Sequence, residues 1–247
     1  MQTDSNSPSP VASTNNNFHV RKLLIPRSQR RTFLLQFTLM TMLGWVVGGI
    51  ASIALERIIL ENVPSAFAGV RAISSLVFAV VFAADQSLVL RRYFPGWQWV
   101  VATTAGWLIA NGVATAWINY ISAIAASLND TPSPELVFIF GFLSTISYII
   151  SGIWLGIFQW LVLRRYTNKA WWWNFVPSIS FLFISLLIWL LSVIQNFIPE
   201  VNRTPVLYWS QQGFTAIILG VVPAIGLCVL KRNSHHEKEG ERGKGKG

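Results

Sequence analysis

The sequence predicts an all-α polytopic membrane protein, a helical bundle of six spans laid out as three parallel helix hairpins. Three observations carry that expectation. The 247 residues are 53% hydrophobic and only 12% charged, with a mean hydropathy of +0.49, whereas a soluble domain carries about 25% charged residues. Too few charges are present to coat a water-soluble globule, and too many apolar groups for a disordered chain. The apolar residues gather in six long runs, and lysine and arginine fall mainly at the two chain ends and in alternate loops between those runs.

The elements follow in order. Residues 1–32 form an N-terminal arm, rich in Ser, Asn, Thr and Pro as far as Asn17 and then basic at Arg21, Lys22, Arg27, Arg30 and Arg31. With little to bury, the arm is expected to be disordered. Apolar runs occupy 33–55, 66–90, 98–121, 137–163, 175–197 and 209–230. Each exceeds the roughly 20 residues a helix needs to cross a ~30 Å hydrocarbon core. They are too long and too evenly apolar for barrel strands, which alternate over about 10 residues. Only helices or closed barrels satisfy the backbone in lipid, so helices are expected. Together the runs make a transmembrane domain over 33–230, and 231–247 is expected to be a disordered charged tail.

Charge placement predicts orientation. Sixteen of the 19 basic residues lie in the arm, the tail and the loops after the second and fourth runs (Arg91, Arg92, Arg164, Arg165, Lys169). The other side keeps only Arg57, Arg71 and Arg203, against Glu56, Glu61, Asp130, Glu135 and Glu200. The positive-inside rule then places both termini in the cytoplasm. The net charge of +9 reads as an orientation signal spread over four segments, so no nucleic-acid partner is expected. Arg30-Arg31-Thr32-Phe33-Leu34 has the look of a twin-arginine export signal. The long apolar run, with no small-x-small cleavage site close behind it, favours a plain cytoplasmic anchor.

The chain repeats itself. Gln86-Ser-Leu-Val-Leu-Arg-Arg92 closes the second run and Gln159-Trp-Leu-Val-Leu-Arg-Arg165 the fourth, six of seven residues agreeing at an offset of 73. Leu227-Cys-Val-Leu-Lys-Arg232 closes the sixth as a weaker copy, with Gly226 where the glutamine would stand. Gly44-Trp45 in the first run is answered by Gly106-Trp107 in the third and by Ser180-Phe181 in the fifth. Trp99 and Trp173 each precede that slot by seven residues. The repeats are expected at 33–92, 98–165 and 175–232. Helix pairs ending in Gln-Trp-Leu-Val-Leu-Arg-Arg, followed by a Trp-rich stretch and Gly-Trp, resemble a family of multi-pass membrane proteins found mainly in cyanobacteria. The resemblance spans most of 33–232. It implies a multi-span topology in a bacterial inner membrane or thylakoid, and carries no activity. Mitochondrial carriers also have six helices in three hairpins, but their Pro-x-Asp/Glu-x-x-Lys/Arg signature is missing from the odd runs.

Four residues are candidates for an intramembrane polar site. Asp85 is the one acid well inside a run, and buried acids in lipid handle protons or cations or find a partner. Arg71, 14 residues away, is about 21 Å off along a helix, too far to be that partner. Gln86 and Gln159 stand one turn inside the boundary, where an amide is expected to face another helix. Asn111 falls mid-run beside Gly and Thr and could bond a helix or line a cavity. Arg91, Arg92, Arg164, Arg165, Lys231 and Arg232 are candidate lipid-headgroup anchors, with anionic lipids as partners. Gly44-x-x-x-Gly48 and Gly152-x-x-x-Gly156 allow close helix crossing within one chain or between copies. Pro223 is expected to kink the last helix. Trp97, Trp99, Trp160, Trp171, Trp172 and Trp173 at one boundary, and Tyr120, Tyr208 and Trp209 at the other, read as interface belts.

No catalytic residue, cofactor or metal is expected. His19, His235 and His236 lie outside the runs, and Cys228 stands alone in an apolar one as a small core residue. Walker, Gly-x-Ser-x-Gly, HExxH and GxGxxG patterns are missing. Two readings remain: a non-enzymatic scaffold, assembly or interaction component, alone or as a homo-oligomer, or a small transporter or channel with a polar pathway between hairpins.

Overall fold

A computed structural model describes residues 23–62, 67–127 and 134–233. It is a bundle of six helices, each long and apolar enough to cross a membrane: α1 (Arg30–Asn62), α2 (Phe67–Leu90), α3 (Gly96–Ser127), α4 (Pro134–Tyr166), α5 (Val176–Ile194) and α6 (Glu200–Val229). The chain is therefore an integral, multi-pass membrane protein by fold. Several helices overrun the apolar runs. α1 has 33 residues, about 50 Å of helix, so its ends stand outside a ~30 Å hydrocarbon layer or it tilts. It stops at Asn62, shortly before Pro64. α6 begins directly after Pro199, nine residues ahead of its apolar run, and continues without a break through Pro205 and Pro223.

Each helix packs on its neighbours in the chain, and α6 returns to α1, closing a ring of six. Two core layers fill it. One, at the basic end, centres on Phe33, Phe37, Leu90, Phe94, Trp99, Leu163, Trp173 and Leu227. The second lies deeper, where Trp45, Phe78, Phe82, Trp107 and Phe181 form a continuous set of ring contacts with centroids 5.1–6.4 Å apart. Edge and tilted geometries dominate, the arrangement in which aromatic quadrupoles attract. Beyond this layer α1, α4, α5 and α6 bury almost nothing: Ile50, Ile58, Phe138, Phe142, Leu186 and Trp189 are all exposed. In water such a surface would aggregate; in lipid it is the solvated face.

Glycines set the helix spacing. A Cβ at Gly44 would stand 2.9 Å from an Asp85 carboxylate oxygen and 3.2 Å from the Phe82 Cα. A Cβ at Gly106 would stand 3.0 Å from the Leu155 Cα and 3.1 Å from the Phe158 Cβ. The two pairs of partners, 82 with 155 and 85 with 158, are each 73 residues apart, the offset of the Gln-x-Leu-Val-Leu-Arg-Arg segments. Gly152 lies against Ser178 and Gly156 against the Asn174 backbone. Both small-x-x-x-small patterns thus serve crossings within the chain. Gly220 makes the ring-closing crossing, with the Thr38 Cα 2.8 Å from where its Cβ would be.

The arm expected to be disordered over 1–32 is packed from Leu23 onward. Ile25 is fully buried, the Leu24 N–H donates to the Leu230 carbonyl (2.9 Å), and residues 27–29 form a short 3-10 turn. The tail is likewise ordered at its start. β1 (Thr167–Asn168) and β2 (Lys231–Arg232) pair antiparallel, Leu23 bridges to Lys231, and the Asn233 N–H donates to the Tyr166 carbonyl (2.9 Å). Backbone hydrogen bonds, which composition does not register, hold these polar stretches down. The disorder expected for the remainder of arm and tail falls on 1–22 and 234–247, outside the described residues.

Candidate functional site

The polar groups inside the bundle are organised around the two repeated glutamines. Gln86, on α2, is 3% exposed. Its Oε1 accepts from the Trp99 indole N–H at the start of α3 (3.0 Å), and its Nε2 donates to the Thr41 hydroxyl on α1 (3.4 Å). Thr41 donates in turn to the Phe37 carbonyl (2.8 Å). Gln159 repeats the pattern one hairpin later. Its Oε1 accepts from the Trp173 indole, in the 3-10 turn leading into α5 (3.1 Å), and its Nε2 donates to the Thr103 hydroxyl on α3 (3.2 Å). Each relay binds three successive segments, so α1–α2 is locked to α3 and α3–α4 to α5. Their indoles meet edge-on, with centroids 6.2 Å apart.

The third joint is built differently. Gly226 occupies the glutamine position on α6, and the Trp173 ring fills the space beside it, 3.0 Å from where a Cβ would be. Phe37, seven residues before Gly44, takes the tryptophan position and has no donor to offer. The α6–α1 contact is polar elsewhere. The Trp45 indole donates to Gln212 Oε1 (2.9 Å), and Arg30 Nη2 donates to the Cys228 carbonyl in the last turn of α6 (2.7 Å). A cation on a terminal carbonyl is the favourable placement for a helix C-terminus.

This geometry corrects the tryptophan belt. Trp99 and Trp173 have no exposed surface and belong to the core, because each indole N–H is spent on a buried glutamine. Trp97 and Trp171 remain exposed at 68% and 63%, and Trp160 lies under the Arg164 guanidinium, 5.3 Å from its centroid. Tyr120, Tyr208 and Trp209 are exposed at the far end. Sequence reasoning missed Thr41, Thr103, Trp45 and Gln212 as partners. The available signal was spacing: each buried tryptophan follows its glutamine by 13 or 14 residues.

The four candidate polar residues do not converge. Gln86 and Gln159 lie in the relays. Asp85 is half-buried on α2 against Gly44, and its carboxylate has no hydrogen bond or ion pair among the described residues. Asn111 is exposed on α3, 12 residues and about 18 Å along the helix from Trp99. Among the described residues no three of His, Cys, Asp and Glu stand together to hold a metal. The six candidate anchors Arg91, Arg92, Arg164, Arg165, Lys231 and Arg232 are exposed. The β1–β2 pairing, the Leu23 bridge and the Phe94–Tyr166 ring contact bring their segments together at one end of the bundle. Just outside the spans, burial pushes the Tyr93 phenol above its ordinary range, with Arg92 pulling it back in part, so the hydroxyl stays neutral at physiological pH.

Comparison with family models, with curated proteins and with solved structures finds no match for this chain.

Proposed function

We propose that this protein is a non-enzymatic membrane component, a scaffold, assembly or interaction protein with both termini in the cytoplasm. The observation that carries the reading is the use made of its buried polar groups. Gln86 and Gln159 spend both ends of their amides on Trp and Thr of neighbouring helices, and the ring behind them is filled by aromatic side chains. Such groups fix helix positions and leave little to offer a substrate. The matched contacts of Gly44 and Gly106, and the two relays, support a chain built from repeated parallel hairpins. Sixteen basic residues in the arm, the tail and two loops support the cytoplasmic assignment. The sequence resemblance supports a bacterial inner membrane or thylakoid, with a membrane-protein partner or a second copy as the natural occupant of the exposed apolar faces.

The test is purification from native membranes in mild detergent. A partner or second copy recovered at fixed stoichiometry is the expected result; a lone monomer overturns the reading. The second reading is a small transporter or channel, favoured by one observation, the carboxylate of Asp85 inside a span with no partner among the described residues. Proton flux in proteoliposomes that Asp85→Asn abolishes would establish it, and flux unchanged by that substitution removes it.

A further inference from the structure

We propose that the outer groove between α1 and α2 at the basic end seats one acidic glycerophospholipid. The proposal rests on the membrane reading above and is independent of the choice between scaffold and transporter. The groove has a volume of about 280 Å³ and is lined by Gln36, Leu39, Met40, Leu88, Val89 and Arg92. α1 enters the membrane at this end and α2 leaves through it, so the two helices present their residues in register. Gln36 and Arg92 share one level. Leu39, Met40, Leu88 and Val89 lie one turn, about 5 Å, deeper. Leu39 is 61% exposed and Leu88 46%, so the apolar walls are open from the side. The helices close on each other further in, where Gly44 meets Phe82 and Asp85.

Polar at the boundary and apolar one turn in, the groove has the polarity of a phospholipid. A guanidinium matches a phosphate with paired donors, and the Gln36 amide adds further donors to it. The walls match the first carbons of an acyl chain. The second hairpin offers an internal comparison. Counted from the shared motifs, Gln98 stands where Gln36 does and Arg165 where Arg92 does. There the Tyr166 hydroxyl donates to Gln98 Oε1 (3.1 Å), so the glutamine is already engaged. In the first hairpin Gln36 has no partner among the described residues, which leaves its amide for a ligand.

Native mass spectrometry of the full chain in mild detergent, titrated with dioleoyl phosphatidylglycerol or dioleoyl phosphatidylcholine, tests the proposal. Wild type is expected to retain one phosphatidylglycerol and to prefer it over phosphatidylcholine. Arg92→Gln is expected to weaken that binding about five-fold, the effect of one cation beside an acidic headgroup. Arg165→Gln, which removes the same charge from the second hairpin, is expected to leave it unchanged. Leu39→Trp, which fills the groove and keeps Arg92, is expected to reduce it as well. Equal retention of the two lipids, or equal losses from Arg92→Gln and Arg165→Gln, overturns the site and leaves only general attraction to charge. A chain that stays soluble without detergent would defeat the membrane reading instead, so the two failures are distinguishable.

Discussion

A glutamine buried in a bilayer is stabilising only when both ends of its amide are bonded, and Gln86 and Gln159 meet that condition through the same pair of residue types. Gln86→Leu and Gln159→Leu each strand an indole N–H, and Gln159→Leu also removes the amide that bonds the Thr103 hydroxyl, so each is expected to lower stability by about 1–2 kcal/mol. Unfolding in mixed detergent–SDS micelles, followed by far-UV circular dichroism, measures it. Trp99→Phe keeps a buried ring but removes the donor to Gln86 and part of the indole's volume, so a loss of about 1–2 kcal/mol is expected in the same assay. The glutamines could be read from sequence because they recur with their Leu-Val-Leu-Arg-Arg neighbours. Their tryptophan partners left only a spacing, 13 and 14 residues on. A tryptophan beside a run of arginines has the composition of an interface anchor, and only the packing of the next hairpin decides whether its indole faces headgroups or an amide. Asp85 shows the same limit: its place inside a span was legible, but its position against Gly44 depends on where α1 crosses.

Helices touch where glycine removes the side chain, and the positions differ sharply in what they tolerate. At Gly156 a Cβ would press into the Asn174 backbone, and at Gly152 it would lie 2.8 Å from the Ser178 Cα. Backbone atoms cannot swing aside as a flexible side chain can. Gly156→Ala is therefore expected to cost about 1–3 kcal/mol by forcing α4 away from the turn before α5. Gly112 and Gly213 have nothing within 4 Å of a Cβ, so Gly112→Ala and Gly213→Ala are expected to be neutral or stabilising by up to about 1 kcal/mol. Thermal melting of the three variants in one detergent separates the classes. All six helices were visible as apolar runs, since lipid demands that length of apolar chain. Their ends were not. Glu200, Asn202 and Arg203 extend α6 ahead of its apolar run, past Pro205 to the cap at Pro199, because nothing obliges a helix to end where the hydrocarbon does.

At the scale of the whole molecule, the basic segments share one end, and the orientation they imply can be measured with single cysteines. In a Cys228→Ala background, cysteines at Arg92 and Lys169 are expected to react with a membrane-impermeant maleimide from one side only. Cysteines at Glu56 and Glu200 are expected to react from the other. Labelling of Arg92→Cys and Lys169→Cys from opposite sides would break the topology. The ring itself could not be read in advance, because its closure rests on Gly220 meeting Thr38, Trp45 meeting Gln212, and backbone bonds between the chain's two ends. That closure has a consequence for biogenesis. Trp45 and Gln212 are 167 residues apart, a separation that takes roughly 10–30 s to translate at 5–20 residues per second. The first helix is made early, but the face that will receive the last one stays vacant throughout that interval. An insertase or lipid tails must cover it in the meantime, and a ribosome stalled before the final helix would leave an open horseshoe with its seam exposed to the bilayer.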